Sequence, residues 1–166
     1  MVAVIFGVAG VGKTTVGKLL AEDLGWKFYD ADDFHPTLNI EKMRSGVALT
    51  DQDRQPWLEK LRDLIERCLA TSENAVLACS ALKKKYRDEL RAGPDVKFVF
   101  LRADRGRVTE QLKNRRGHYF DPNLLDAQFA DLEEPKSDQD AVTIHVIGEP
   151  RDVAKKIESI LRGRSQ

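Results

Sequence analysis

Near the amino terminus, Gly7-Val8-Ala9-Gly10-Val11-Gly12-Lys13-Thr14 matches the pattern G-x-x-x-x-G-K-[ST] and directly follows an apolar, β-branched run, Val2–Phe6. A loop of this kind wraps phosphates with backbone N–H groups, while its lysine reaches the β and γ groups and its hydroxyl ligates Mg²⁺. It requires a strand before it and a helix after it, because the helix N-terminus favours an anion. The pattern supplies both. The apolar run reads as a strand buried on both faces of a parallel sheet, and Lys13–Leu24 reads as an amphipathic helix closed by Gly25. Nucleotide phosphate contacts are therefore expected from Gly7, Val8, Ala9, Gly10, Val11, Gly12, Lys13, Thr14 and Thr15. The Val11 side chain is expected to point away from the phosphates, since the loop binds through its backbone.

Four further apolar runs, 26–29, 75–79, 96–101 and 142–147, read as strands, and amphipathic patterns over 56–71, 83–91, 104–116 and 152–161 read as helices. Alternation of strand and helix implies right-handed crossovers. The expected fold class is therefore α/β, a five-stranded parallel sheet with helices on both faces and ligands at the carboxyl ends of the strands. The length, 166 residues, suits one domain over 1–166. Two stretches break the rhythm: about 30–53, with a helical run over 39–43, and about 117–140, with another over 124–132. Excursions of this length often serve as binding segments or lids. Lys plus Arg and Asp plus Glu are both 27, so no net charge gathers nucleic acid or an anionic membrane. No apolar run reaches the ~18 residues of a bilayer span. Cys68 and Cys79 have neither metal-ligand spacing nor framework partners, which suits a reducing compartment and makes a cytoplasmic location the expectation.

A phosphate loop leaves the phosphoryl acceptor open, water or another molecule. The Asn-Lys-x-Asp motif that reads guanine is absent from the sequence. Asp30-Ala31-Asp32-Asp33-Phe34-His35 follows the second strand, on the edge that carries the phosphate loop. Carboxylates two residues apart on an extended strand end share a side, so one can support Mg²⁺ while the other accepts a proton from a substrate hydroxyl. An acidic turn capping the next helix is the alternative.

These segments, followed by Asn39-Ile40-Glu41-Lys42-Met43, 49–58, Cys79-Ser80-Ala81-Leu82-Lys83, Tyr86-Arg87-Asp88 and Gly117-His118-Tyr119-Phe120, occur in the order seen in the gluconokinase family. The chain resembles its thermoresistant type, a relative of shikimate kinase among small P-loop kinases, over nearly its whole length. The resemblance implies the P-loop nucleoside-triphosphate hydrolase fold with a lid, ATP and Mg²⁺, and transfer of the γ-phosphoryl group to the 6-hydroxyl of D-gluconate. It implies Asp32 at the reacting hydroxyl, Asp30 with Thr14 at the metal, Arg54 on the substrate carboxylate and Arg115, in preference to Arg116, closing over the phosphates. His35 and Gln128 are further substrate contacts on the same grounds, and a homodimer is the state common in the family. Gluconate is a polyol ending in a carboxylate, so its site needs cations at one end and a base at the other. Lys83 and Arg87, four apart at the start of a helix, share a face and join Arg54 as candidate clamps. A kinase of the same fold for another small hydroxy acid such as shikimate, or for a nucleoside, and an ATP-binding switch that transfers nothing are the alternatives.

Overall fold

Val2–Phe6 is buried at every position, and in the computed structural model this strand, β1, lies at the centre of the sheet. The structure describes residues 1–115, 121–136 and 141–163. Strands β2 (Lys27–Asp30), β3 (Ala75–Ala78), β4 (Val96–Arg102) and β5 (Ala141–His145) join β1 in one parallel sheet ordered β2-β3-β1-β4-β5. The helices are α1 (Lys13–Leu24), α2 (Thr37–Arg44), α3 (Asp51–Ala70), α4 (Lys84–Leu90), α5 (Arg105–Lys113), α6 (Pro122–Asp131) and α7 (Pro150–Gly163). No helix among the described residues is long and apolar enough to cross a membrane.

Side chains alternate across a strand, so β1 feeds two cores. Val2, Val4 and Phe6 meet Trp57, Leu61 and Ile65 of α3 on one face. Ala3 and Ile5 meet Val16 and Leu20 of α1, Val108 of α5 and Ile157 of α7 on the other. The parallel register sets Ile5 beside Ala78 and Ala78 beside Asp30, so β1, β3 and β2 end level. The loop that follows β1 and the acidic segment that follows β2 thus emerge on one edge.

Three expectations change. Helix α3 begins at Asp51 rather than near residue 56, because Thr50 caps the Asp53 N–H and the Asp53 carboxylate takes the Thr50 N–H in return. Pro56 therefore lies inside the helix. The acidic segment is not extended: Asp30 ends β2 and its carboxylate accepts from the Asp32 N–H at 3.0 Å, folding Ala31–Phe34 into a 3₁₀ turn. Helix α5 stops at Lys113, short of the expected 116. Arg116, Gly117, His118, Tyr119 and Phe120, with 137–140 of the expected lid, lie outside the described residues.

The 3₁₀ turn is pinned to α3 by Trp57, whose indole N–H donates to the Ala31 carbonyl at 2.7 Å in the core. Trp57→Phe leaves that carbonyl unpaired and removes ring volume, and is expected to cost about 1–3 kcal/mol in a urea titration.

Candidate active site

Glycines 10 and 12 let the chain turn back into the phosphate loop, with φ of +79° and +104°. A Cβ on Gly10 would stand 2.6 Å from Cγ of Leu112 on α5, so the loop packs too closely there for any side chain. Val8 and Val11 send their side chains into the core, as expected for a loop that binds through its backbone. Ala9, Gly12, Lys13, Thr14 and Thr15 line a cavity of about 410 Å³.

The Lys13 ammonium donates to the Gly7 and Val8 carbonyls, both at 2.9 Å. Burial lowers its pKa, and the facing Asp32 carboxylate opposes that shift. A phosphate oxygen would make stronger, charge-assisted bonds than these neutral carbonyls, so the lysine is held ready for an anion. The Thr14 hydroxyl donates to Asp30 at 2.9 Å, joining the head of α1 to the end of β2.

Asp32 is exposed along the cavity that it lines, and the cavity walls still strip part of the water from its carboxylate. That desolvation, and then the neighbouring Asp30, push its carboxyl above the ordinary aspartate range, while Lys13 and Arg115 pull the other way. A carboxylate whose proton affinity has been raised is suited to taking a proton from an alcohol. Arg115, just beyond α5, lines the same cavity.

The cavity continues away from the phosphate loop to His35, Trp57, Arg54 and Asp131. The His35 ring stacks on Trp57 with centroids 4.4 Å apart, and its Nδ1 pairs with the amide of buried Asn39. Burial, and then the Arg54 charge, lower its pKa to about 4, so it is neutral near pH 7. Arg54 donates from Nη1 to the Tyr86 hydroxyl at 2.8 Å and to Asp131 at 3.4 Å. Tyr86 in turn donates to Asp51, which also binds Lys83 at 3.0 Å and Lys85. Those bonds, that from Lys85 foremost, hold the Asp51 carboxyl far below its ordinary range.

The structure therefore redistributes the expected cationic clamps. Arg54 faces the cavity. Lys83 is the N-cap residue of α4 and reaches the cavity wall only through carboxylates, bonded to Asp51 and 4.0 Å from Asp131. Arg87 turns inward: it is 3% exposed, donates to the carbonyls of Ala81, Leu82 and Glu133 at 2.8–2.9 Å, and lies over the Phe6 ring. A guanidinium so surrounded has no path to a ligand, and its visible work is to hold the turn at Ala81, where φ is +30°, against the segment after α6. Gln128 lines the cavity, but its side-chain oxygen accepts the Ala9 N–H at 2.6 Å, fastening α6 to the phosphate loop. Tyr86 and Asp51 lie in segments that carry the family resemblance but had no role assigned from sequence, and neither had Asp131. The Thr50-x-x-Asp53 box, which starts α3 and so places Asp51 in its first turn, was the legible signal for one of them.

The shikimate kinase family model matches residues 9–161. A probable gluconokinase of Rattus norvegicus is 45% identical, with 96% of this chain and 97% of the relative covered. The thermoresistant gluconokinase of Escherichia coli (strain K12) is 42% identical, covering 97% of this chain and 94% of its own. Among solved structures, a gluconokinase from Sinorhizobium meliloti 1021 is similar, with a TM-score of 0.80, 37% identity and coverage of 99% and 97%.

The inward position of Arg87 makes a checkable prediction. Arg87→Met is expected to lower unfolding free energy by about 2–4 kcal/mol, the scale for orphaned buried acceptors, with ligand KM values close to the parent's. An unchanged denaturation midpoint with a raised acceptor KM would return Arg87 to the site.

Proposed function

The chain belongs to the gluconokinase family of P-loop kinases, and from that premise we propose that it transfers the γ-phosphoryl group of ATP to the 6-hydroxyl of D-gluconate, giving 6-phospho-D-gluconate and ADP. One observation carries the reading. A single cavity runs from the phosphate loop, past Asp32, to the guanidinium of Arg54, and so matches an acceptor with a hydroxyl at one end and a carboxylate at the other.

Arg54 would hold the carboxylate through its planar fork, with Lys83 adding positive charge behind it. His35 and Gln128 line the stretch between and are proposed to meet hydroxyls along the chain of the sugar acid. Asp32 would receive the proton of the 6-hydroxyl, the oxygen lone pair would form the bond to the γ-phosphorus, and the bond to the β,γ-bridging oxygen would break to leave ADP. The transition state spreads charge over the transferring group. Lys13, on leaving the loop carbonyls, and Arg115, on closing, would face that charge, and fixed cations in a dry site are worth most there. Thr14 and Asp30 present hard oxygens 2.9 Å apart and fit Mg²⁺, whose charge when bound would offset that of the phosphates. The same reading extends to a cytoplasmic setting, which two unpaired, buried cysteines suit, and to the homodimer common in the family.

Lys13→Ala and Asp32→Asn are each expected to lower kcat by about two to four orders of magnitude with the fold intact by circular dichroism. Asp32 acts only when deprotonated, and its pKa is raised. The parent's kcat should therefore fall as pH drops, with a midpoint above the ordinary aspartate range, and that limb should vanish in Asp32→Asn. Near-normal turnover of Asp32→Asn at saturating substrates would contradict the assignment.

A further inference from the structure

The carboxylate of Asp131 stands at the wall of the acceptor cavity and, among the described residues, uses little of its hydrogen-bonding capacity. One oxygen lies 3.4 Å from Nη1 of Arg54 and the other 4.0 Å from the Lys83 ammonium, both long contacts. A carboxylate offers about four lone-pair sites; the Asp131 side chain is 30% exposed and lines the cavity. Both hydrogen bonds of Arg54 among the described residues run through Nη1, and the shorter goes to Tyr86. The rest of the fork is left to a ligand.

The local charges explain why an acid sits among cations. Arg54, Lys83 and Lys85 face Asp51 and Asp131, which leaves one positive charge, the complement of a monocarboxylate. Asp51 already accepts from Lys83, Lys85 and Tyr86 and is not among the residues that line the cavity. Asp131 is the carboxylate in this group that can still accept a hydrogen bond from a substrate. A ligand carboxylate seated on the Arg54 fork carries its C2 substituent on the adjacent carbon, beside the Asp131 contact to that same guanidinium.

We propose that Asp131 is a specificity-determining residue that accepts a hydrogen bond from the C2 hydroxyl of the acceptor, so that the site selects 2-hydroxy acids over acids without that hydroxyl; this rests on the gluconate reading and on Arg54 as the carboxylate clamp. The paired arrangement reads both groups at once, the cation taking the carboxylate and the anion taking the neighbouring hydroxyl. An analogue without the hydroxyl leaves Asp131 oxygen lone pairs desolvated with no donor in place of the hydroxyl, and sites built this way reject such analogues strongly.

The test is a cycle of one protein change and one substrate change, which cancels effects common to both acids. With ATP and Mg²⁺ saturating, kcat/KM is measured for D-gluconate and 2-deoxy-D-gluconate on the full-length parent and on Asp131→Ala. The parent is expected to favour gluconate by about 10²-fold or more, and Asp131→Ala to bring that ratio within about fivefold, chiefly by losing rate on gluconate. If Asp131→Ala does not fold, Asp131→Asn replaces it; its neutral oxygen is a weaker acceptor and should still reduce the ratio several-fold. A parent that uses both acids equally well overturns the proposal. So does a ratio that survives in the variants, which would make Asp131 a counter-ion for Arg54 alone. A parent inactive on gluconate but active on another acceptor overturns the gluconate reading instead, and the two failures are distinct.

Discussion

The hydroxyl of Thr14 and the carboxylate of Asp30 meet across an intervening strand, and one wall of the cavity is built around that bond. β1 and β2 are not neighbours; β3 lies between them, and the parallel register brings all three to the same height. The phosphate loop can therefore stand beside an acidic turn that is distant in sequence. Asp30 serves three ends at once: it terminates β2, takes the Thr14 hydroxyl with one oxygen, and with the other caps the turn that carries Asp32. Trp57 fixes the same turn from the core side. Lys13 and Asp32 then face each other closely enough to shift one another's proton affinity.

At the far end of the cavity, the organising device is a partly neutralised cluster of charges. Isolated cations in a cleft would be costly to desolvate, and carboxylates close to them reduce that cost. Asp51, with three donors, is a structural counter-ion, and Tyr86 connects it to Arg54. Arg87, by contrast, belongs to the scaffold. It ties the turn after β3 to Glu133 beyond α6, while Glu133 returns its own N–H to Leu82 and its carboxylate to the Lys84 N–H. The trailing end of α6 is thus fastened to the segment that presents Lys83, and Gln128 fastens its middle to the phosphate loop.

The sheet and the phosphate loop were legible in the sequence because their signals are local: unbroken apolar runs, a glycine-rich turn and a helix after it. The acidic segment stands at the cavity, where Asp30 and Asp32 line the wall, but not in the extended conformation expected of it. Asp30 and Asp32 share a side because one caps the other in a 3₁₀ turn, not because a strand continues. Periodicity placed Lys83 and Arg87 on one face of the helix, but it could not tell which way that face turned; in the structure Arg87 turns inward to the Ala81 carbonyl and Tyr86 meets Arg54. Asp131 carried no local signal at all. Its partner Arg54 is 77 positions away, and only the fold brings the two together.

Coupled ADP release decides whether the cavity that holds Asp32 joins ATP to a polyol acid. The assay uses Mg²⁺ and ATP with D-gluconate, shikimate, glycerate, a nucleoside or no acceptor. Strong stimulation by gluconate, with little by the others and little without an acceptor, is the predicted result. Equal ADP release with and without gluconate, or stimulation by a different acceptor alone, would contradict it.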